Sequence, residues 1–116
     1  MDLQVVATKL TAQSLNDLAR SLGADDSGVV SVDDPLLAED LPFIRRAFPA
    51  ARTLLVLLGR MHREPVRSPA RSVANLEFHS AGHAVDATAR AVVRHLEDRG
   101  IAALNPAMAF PMELDS

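Results

Sequence analysis

Two histidines stand four residues apart in the segment "EFHSAGHAVD", residues 77–86. Side chains at this spacing lie one turn apart on a helix, so His79 and His83 could share a zinc ion at about 2 Å from each nitrogen. A protein zinc site needs at least a third ligand, and Asp86 lies about 10 Å along the helix axis from His79. We therefore predict no metal site here, and interpret these residues as a solvent- or partner-facing side of a helix. A metal site and a role in a pocket are the alternatives.

A long helix from about Ser72 to Arg99 would position these histidines, and Gly100 stands where helices commonly end. The pattern predicts an Asp86–Arg90 ion pair on its polar side. It also predicts one buried stripe with steps of three and four residues. The stripe comprises Ala74, Phe78, Ala81, Val85, Ala89, Val92 and Leu96.

Other reactive arrangements are missing from the sequence. The chain has no cysteine, which excludes disulfides, thiolate catalysis and cysteine-bound iron–sulfur clusters within it. Its five glycines are scattered, and no serine stands in a G-x-S-x-G motif. Glu113 and Asp115 form a carboxylate pair whose simplest interpretation is an acidic tail. The sequence therefore identifies no catalytic residue, and we predict no metal ligand.

Composition indicates one soluble domain of 116 residues, because 48% of the residues are hydrophobic. The longest strictly apolar run, Leu54–Leu58, is far too short for a membrane span, and no signal peptide is recognisable. We therefore expect a cytoplasmic protein without membrane contact. With no Tyr or Trp and only four Phe, the chain has few platforms for stacking bases, so we expect no nucleic acid partner.

The net charge of −3 conceals a division along the chain. Residues 25–40 contain six acidic residues and no Lys or Arg, whereas residues 60–71 contain four arginines and one Glu. We expect Pro65 and Pro69 to prevent a regular helix in the basic stretch. Its guanidinium groups suit phosphate or a partner's carboxylates, and a solvated loop is the alternative.

The remaining segments predict an α/β fold. We expect a helix from Thr11 to Gly23, a strand over 27–32, and a helix from Asp40 to Pro49 with Phe43, Ile44, Ala47 and Phe48 on its inner face. The segment "RTLLVLLGR" is apolar without alternation, which is typical of a central strand covered on both faces. "IAAL", residues 101–104, should be a third strand, followed by an extended loop or irregular edge. Three strands and three helices make a small three-layer sandwich with open edges, so we expect part of a larger fold.

Several segments, in this order, resemble a known family: "LGAD", "GVVSV", "FPAARTLLVLLG", "RSVANLEFH" and "NPAMAFPMEL". The chain resembles the N-terminal region of 4Fe-4S iron–sulfur proteins related to epoxyqueuosine reductase and cobalamin-dependent reductive dehalogenases. The resemblance covers nearly the whole chain. It implies that residues 1–116 are a single partial domain of nitroreductase-like fold. The iron–sulfur module would belong to absent sequence or a partner chain.

The resemblance also implies a function and a set of site residues. The chain would be a cofactor-pocket segment of an oxidoreductase, inactive alone, with cobalamin and 4Fe-4S clusters belonging to a full-length relative. The candidate cofactor-binding residues are Asn105, Phe110, Glu113, Arg67 and Arg71. The alternative for the C-terminal ones is an edge strand that packs Met108 and Phe110 into the core. A different hypothesis is a non-catalytic small binding or oligomerisation protein that uses an open sheet edge, and a homo-oligomer is expected if the chain is stable alone.

Overall fold

A computed structural model of the chain describes residues 10–106. Four α-helices, one 3₁₀ turn and two strands follow one another in these residues. In chain order they are α1 (Ala12–Ser21), β1 (Asp26–Ser31), the 3₁₀ turn (Pro35–Leu37), α2 (Leu41–Ala47), β2 (Thr53–Leu58), α3 (Arg63–Arg67) and α4 (Arg71–Asp98). The prediction of a mixed α/β protein is confirmed at this level.

Helix α1 begins and ends where the sequence predicts. The Thr11 hydroxyl accepts a hydrogen bond from the Ser14 backbone N–H, and the Ser14 hydroxyl accepts one from the Thr11 N–H. These reciprocal bonds satisfy donors that a helix start leaves without partners. Gly23 follows the helix with a φ of 119°, a conformation that side chains disfavour, and so ends it.

The two strands form an antiparallel sheet in which Val29 lies opposite Leu55 and Gly28 lies opposite Val56. Side chains alternate between the two faces of a strand, so Val29 and Leu55 share one face. That face packs on the core formed with α1 and α4. On the opposite face, Val56 is 47% exposed and Leu58 is 54% exposed.

The sequence therefore predicted the position of β2 correctly but not how many of its faces are covered by helices. Its continuous apolar run suggested cover on both faces, whereas helices cover one face within residues 10–106. The predicted third strand at Ile101–Leu104 is not confirmed, since residues 101–106 lie outside any helix or strand. Ile101 and Ala103 nevertheless pack against the core. The three-layer and nitroreductase-like arrangements are likewise not confirmed.

The core is small. Its centre is formed by Leu15, Val92 and Leu96, all buried. Partly buried side chains from every neighbouring element surround them: Leu10, Leu18, Leu22, Val29, Leu55, Ile101 and Ala103.

Helix α4 has 28 residues, as the apolar periodicity predicts. Its stripe is buried in the C-terminal part, where Val92 is 4% exposed, but Phe78 is 63% exposed. The prediction that Phe78 belongs to a buried face is wrong for the described residues. The reason is that Val85 lies beside Gly59, just after β2 ends, so the helix N-terminal to Val85 continues past the sheet.

The basic stretch contains a short helix despite its prolines. Pro65 is the third residue of α3, where a backbone N–H has no partner in its own helix, so the ring removes no helical hydrogen bond. The prediction of a non-helical stretch is therefore wrong for Arg63–Arg67. In α2 the predicted helix is confirmed, but Phe43 on its expected inner face is exposed.

A search of the described helices for one with the length and apolarity of a membrane span finds none.

Candidate functional site

Of the three candidate pocket residues that lie within residues 10–106, Asn105 is the one whose side chain has a defined partner. Its Nδ2 donates to Asp86 Oδ1 at 2.9 Å, and both residues are half-buried. This bond ties the chain after α4 to the middle of that helix. Asp86 thus accepts from Asn105, and the predicted Asp86–Arg90 ion pair does not form among the described residues. Phe110 and Glu113 lie outside the described residues.

Arg67 and Arg71 lie in a different part of the molecule. Arg67 is the last residue of α3 and Arg71 the first of α4, and both side chains are exposed. Along α4, fifteen residues separate Arg71 from Asp86, which is about 22 Å at 1.5 Å per residue. Arg71 and the Asn105–Asp86 pair therefore do not meet in one cavity.

Two carboxylates instead hold the backbone of the basic stretch. The Arg60 N–H donates to Asp25 Oδ2 at 2.6 Å. The His62 N–H donates to Glu77 Oε2 at 2.8 Å, and His62 Nδ1 lies 3.3 Å from Glu77 Oε1. The Glu77 side chain is only 11% exposed. Neither carboxylate forms an ion pair with an arginine side chain among the described residues.

These contacts were not anticipated from the sequence. Glu77 stands fifteen residues after His62 and shares no motif with it. The contact between the Arg60 N–H and Asp25 follows from the strand register. Pairing of Asp26 with Leu58 places Asp25 at the end of β2, two residues before Arg60. The proximity of Asp25 to Arg60 can therefore be predicted only when the strand pairing is known.

A narrow hollow of about 60 Å³ lies beneath this end of the sheet. Its walls include Asp25, Leu57, Gly59, Val85 and Thr88. This volume holds a few water molecules and is far below that of a site for an organic cofactor. A second, open hollow of about 560 Å³ lies at the opposite end of the sheet, lined by residues such as Asp33, Arg45 and Arg52. Neither hollow is lined by Asn105, Arg67 or Arg71.

The described residues contain no group of three or more histidine, cysteine or acidic side chains that could hold a metal ion. His79 and His83 are both exposed on α4, and the His79 ring meets the Phe78 ring edge-on with centroids 5.7 Å apart. The interpretation of these histidines as an exposed helix side agrees with their positions.

The fold lowers the pKa of the Asp26 carboxyl. The Ser27 backbone N–H, which donates to Asp26 at 2.8 Å, is the largest cause of a lowered pKa of that carboxyl. The Arg20 guanidinium, 3.0 Å away, adds to the effect. Both favour the ionised carboxylate. Asp26 therefore strengthens the junction between α1 and β1.

Comparison with known proteins finds no matching family model, no matching curated protein and no matching solved structure. The resemblance to the epoxyqueuosine reductase and reductive dehalogenase group accordingly stays a prediction from the sequence.

Proposed function

We propose that this chain is the front segment of an oxidoreductase domain, inactive by itself, whose sheet is covered by further polypeptide. The observation that supports this is the apolar surface left without cover among the described residues. Val56 and Leu58 stand on the open face of the sheet, and Phe78 stands on α4 beyond its end. Val56 and Leu58 lie next to each other on one face of β2, and an exposed apolar patch of this kind can mark a place where another polypeptide packs.

The redox character of the proposal comes from the sequence resemblance. The chain has no cysteine, so its residues do not fit a 4Fe-4S cluster, which would have to be held by other polypeptide. The residues carried over for cobalamin do not fit an enclosed site either, because Asn105 is bonded to Asp86 and lies far from Arg67 and Arg71. The chain would supply at most one wall of a cofactor cavity, and we derive no catalytic step from it.

Isolation of the native protein tests this proposal. An antibody against the chain would be used to purify it from its source under anaerobic conditions, followed by native mass spectrometry and assays for iron, acid-labile sulfide and cobalt. We expect a species heavier than the 12.5 kDa of this chain, containing additional polypeptide and iron. A native species of 12.5 kDa without iron or cobalt would contradict the proposal.

A non-catalytic oligomerisation protein is the second candidate. The observation that favours it is the free edge of β2, a six-residue strand without charge, proline or glycine and without a second neighbour among residues 10–106. Exposed edges of this kind readily pair with another chain. Sedimentation equilibrium of the pure chain separates the two candidates, since only the second requires concentration-dependent self-association.

A further inference from the structure

We propose that the edge of β2 left free within residues 10–106 binds an extended strand of another polypeptide, uncharged in its centre and acidic at both ends. This inference rests on the proposed need for further polypeptide and names the position and chemistry of that partner.

The antiparallel ladder determines which backbone groups are available. The Val32 N–H donates to the Arg52 carbonyl at 3.0 Å, so Arg52 belongs to a hydrogen-bonded pair. Such pairs alternate along an antiparallel ladder. Consequently Thr53, Leu55 and Leu57 direct their N–H and C=O groups away from β1, where no described residue binds them.

The other edge of the sheet is already partly occupied. On β1, the Ser27 N–H donates to the Asp26 carboxylate at 2.8 Å, and the Ser31 carbonyl accepts from the Asp34 N–H at 3.1 Å. Because these two outward backbone groups are already hydrogen-bonded, this edge is less able to pair with a strand of another chain. Within residues 10–106, the edge of β2 is therefore the one open to a further strand.

The charges beside β2 define the partner. Arg52 precedes the strand and Arg60 follows it closely, and neither side chain has an ion-pair partner among the described residues. The strand that β2 already pairs with has the complementary pattern. In the segment "ADDSGVVSVDD", residues 24–34, pairs of aspartates flank an uncharged centre. A strand with acidic residues at both ends could therefore pair with the free edge of β2 in parallel or antiparallel orientation, since Arg52 and Arg60 lie at its two ends.

A second copy of this chain fits less well. Antiparallel pairing of β2 with the β2 of a second copy would place Arg52 of each beside Arg60 of the other, and like charges across an interface disfavour association. The β1 edge of a second copy is also a poor partner for β2, because its outward groups at Ser27 and Ser31 are already hydrogen-bonded. The occupant is thus a strand from a different polypeptide, bound by addition to the sheet.

Two peptides test the inference on the full chain. The first is a fluorescein-labelled copy of residues 24–34, and the second has its four aspartates replaced by lysine. Fluorescence anisotropy should show that the acidic peptide binds about tenfold tighter, as two exposed ion pairs at favourable geometry allow. The Arg52→Glu/Arg60→Glu variant should reverse the preference. The matched Arg90→Glu/Arg94→Glu variant changes the same charge at two exposed positions of α4 and should leave the preference intact.

Hydrogen exchange locates the peptide and gives a measurement that needs no variant. Bound peptide should protect the amides of Thr53, Leu55 and Leu57.

The inference is overturned if the wild-type chain binds both peptides equally, or if the bound peptide protects amides elsewhere. It is also overturned if both double variants lose the preference for the acidic peptide to the same extent. Self-association of the pure chain through those three amides would overturn it in favour of a second copy. If the native species contains additional polypeptide but leaves those amides unprotected, this inference fails while the proposed function stands.

Discussion

Replacing Gly59 with alanine tests the close approach of β2 to α4. A Cβ built at this position would lie 2.5 Å from Val85 Cγ2, about 1 Å closer than ordinary carbon contacts. The Gly59 backbone has no left-handed φ, so the effect of alanine is steric. Valine is stiff at χ1 and cannot swing its methyl group away freely, so strand and helix must separate. Overpacking of this kind costs about 1–3 kcal/mol.

Urea unfolding followed by far-UV circular dichroism measures the change. We expect Gly59→Ala to lower the free energy of unfolding by that amount, equivalent to about 4 °C in Tm for each kcal/mol in a domain of 116 residues. The Val85→Ala background removes the clashing methyl group, so Gly59→Ala should cost much less there. A double-mutant cycle gives the coupling directly.

Gly82→Ala is the matched control. Gly82 lies inside α4, and a Cβ there would meet no heavy atom within 4 Å. Alanine should therefore stabilise the protein by up to about 1 kcal/mol through helix propensity. The reasoning is refuted if Gly59→Ala is as stable as the wild type, or if its cost is unchanged when Val85 is alanine.

Three further predictions concern individual side chains that hydrogen-bond to the backbone. Thr11→Ala removes the hydroxyl that caps α1 and should lower the free energy of unfolding by about 1 kcal/mol in the same urea assay, with an unchanged value contradicting a role for this cap. Glu77→Ala removes the acceptor for the His62 N–H and should cost about 1–2 kcal/mol and speed hydrogen exchange of the His62 amide, whereas Glu77→Gln, which keeps an acceptor, should cost less. The pKa of Asp26 is lowered in the fold, so its contribution to stability is complete above the ordinary aspartate value of about 4 and is lost as the pH falls through the lowered value. Unfolding midpoints of the wild type and Asp26→Asn should therefore converge in acid, and midpoints that stay parallel across the acidic range would contradict this.

Local structure was predictable wherever neighbouring residues determine it. The Thr11 cap, Gly23 after α1, the periodicity of α4 and the exclusion of cysteine chemistry all follow from short-range patterns. Pro65 shows the limit of a local rule, because its effect depends on whether it falls in the first turn or later.

Contacts between distant segments could not be predicted in the same way. The apolar run of β2 indicates that a strand can be buried, but it does not say how many neighbours or covering helices are present. Likewise, Asn105 and Arg71 were grouped as candidate site residues, but the length of α4 holds Arg71 far from the Asn105–Asp86 bond.

The sequence by itself determined α1, α2, α4, the positions of the two strands and the lack of thiol ligands, because these depend on residue type and on spacing within a few positions. Only the tertiary structure decided that Asp25 and Glu77 hold the backbone of the basic stretch. It also decided that, among residues 10–106, one face of the sheet and the edge of β2 between Arg52 and Arg60 have no covering element. These features depend on strand register and on where α4 crosses the sheet, both of which arise from packing between segments far apart in the chain.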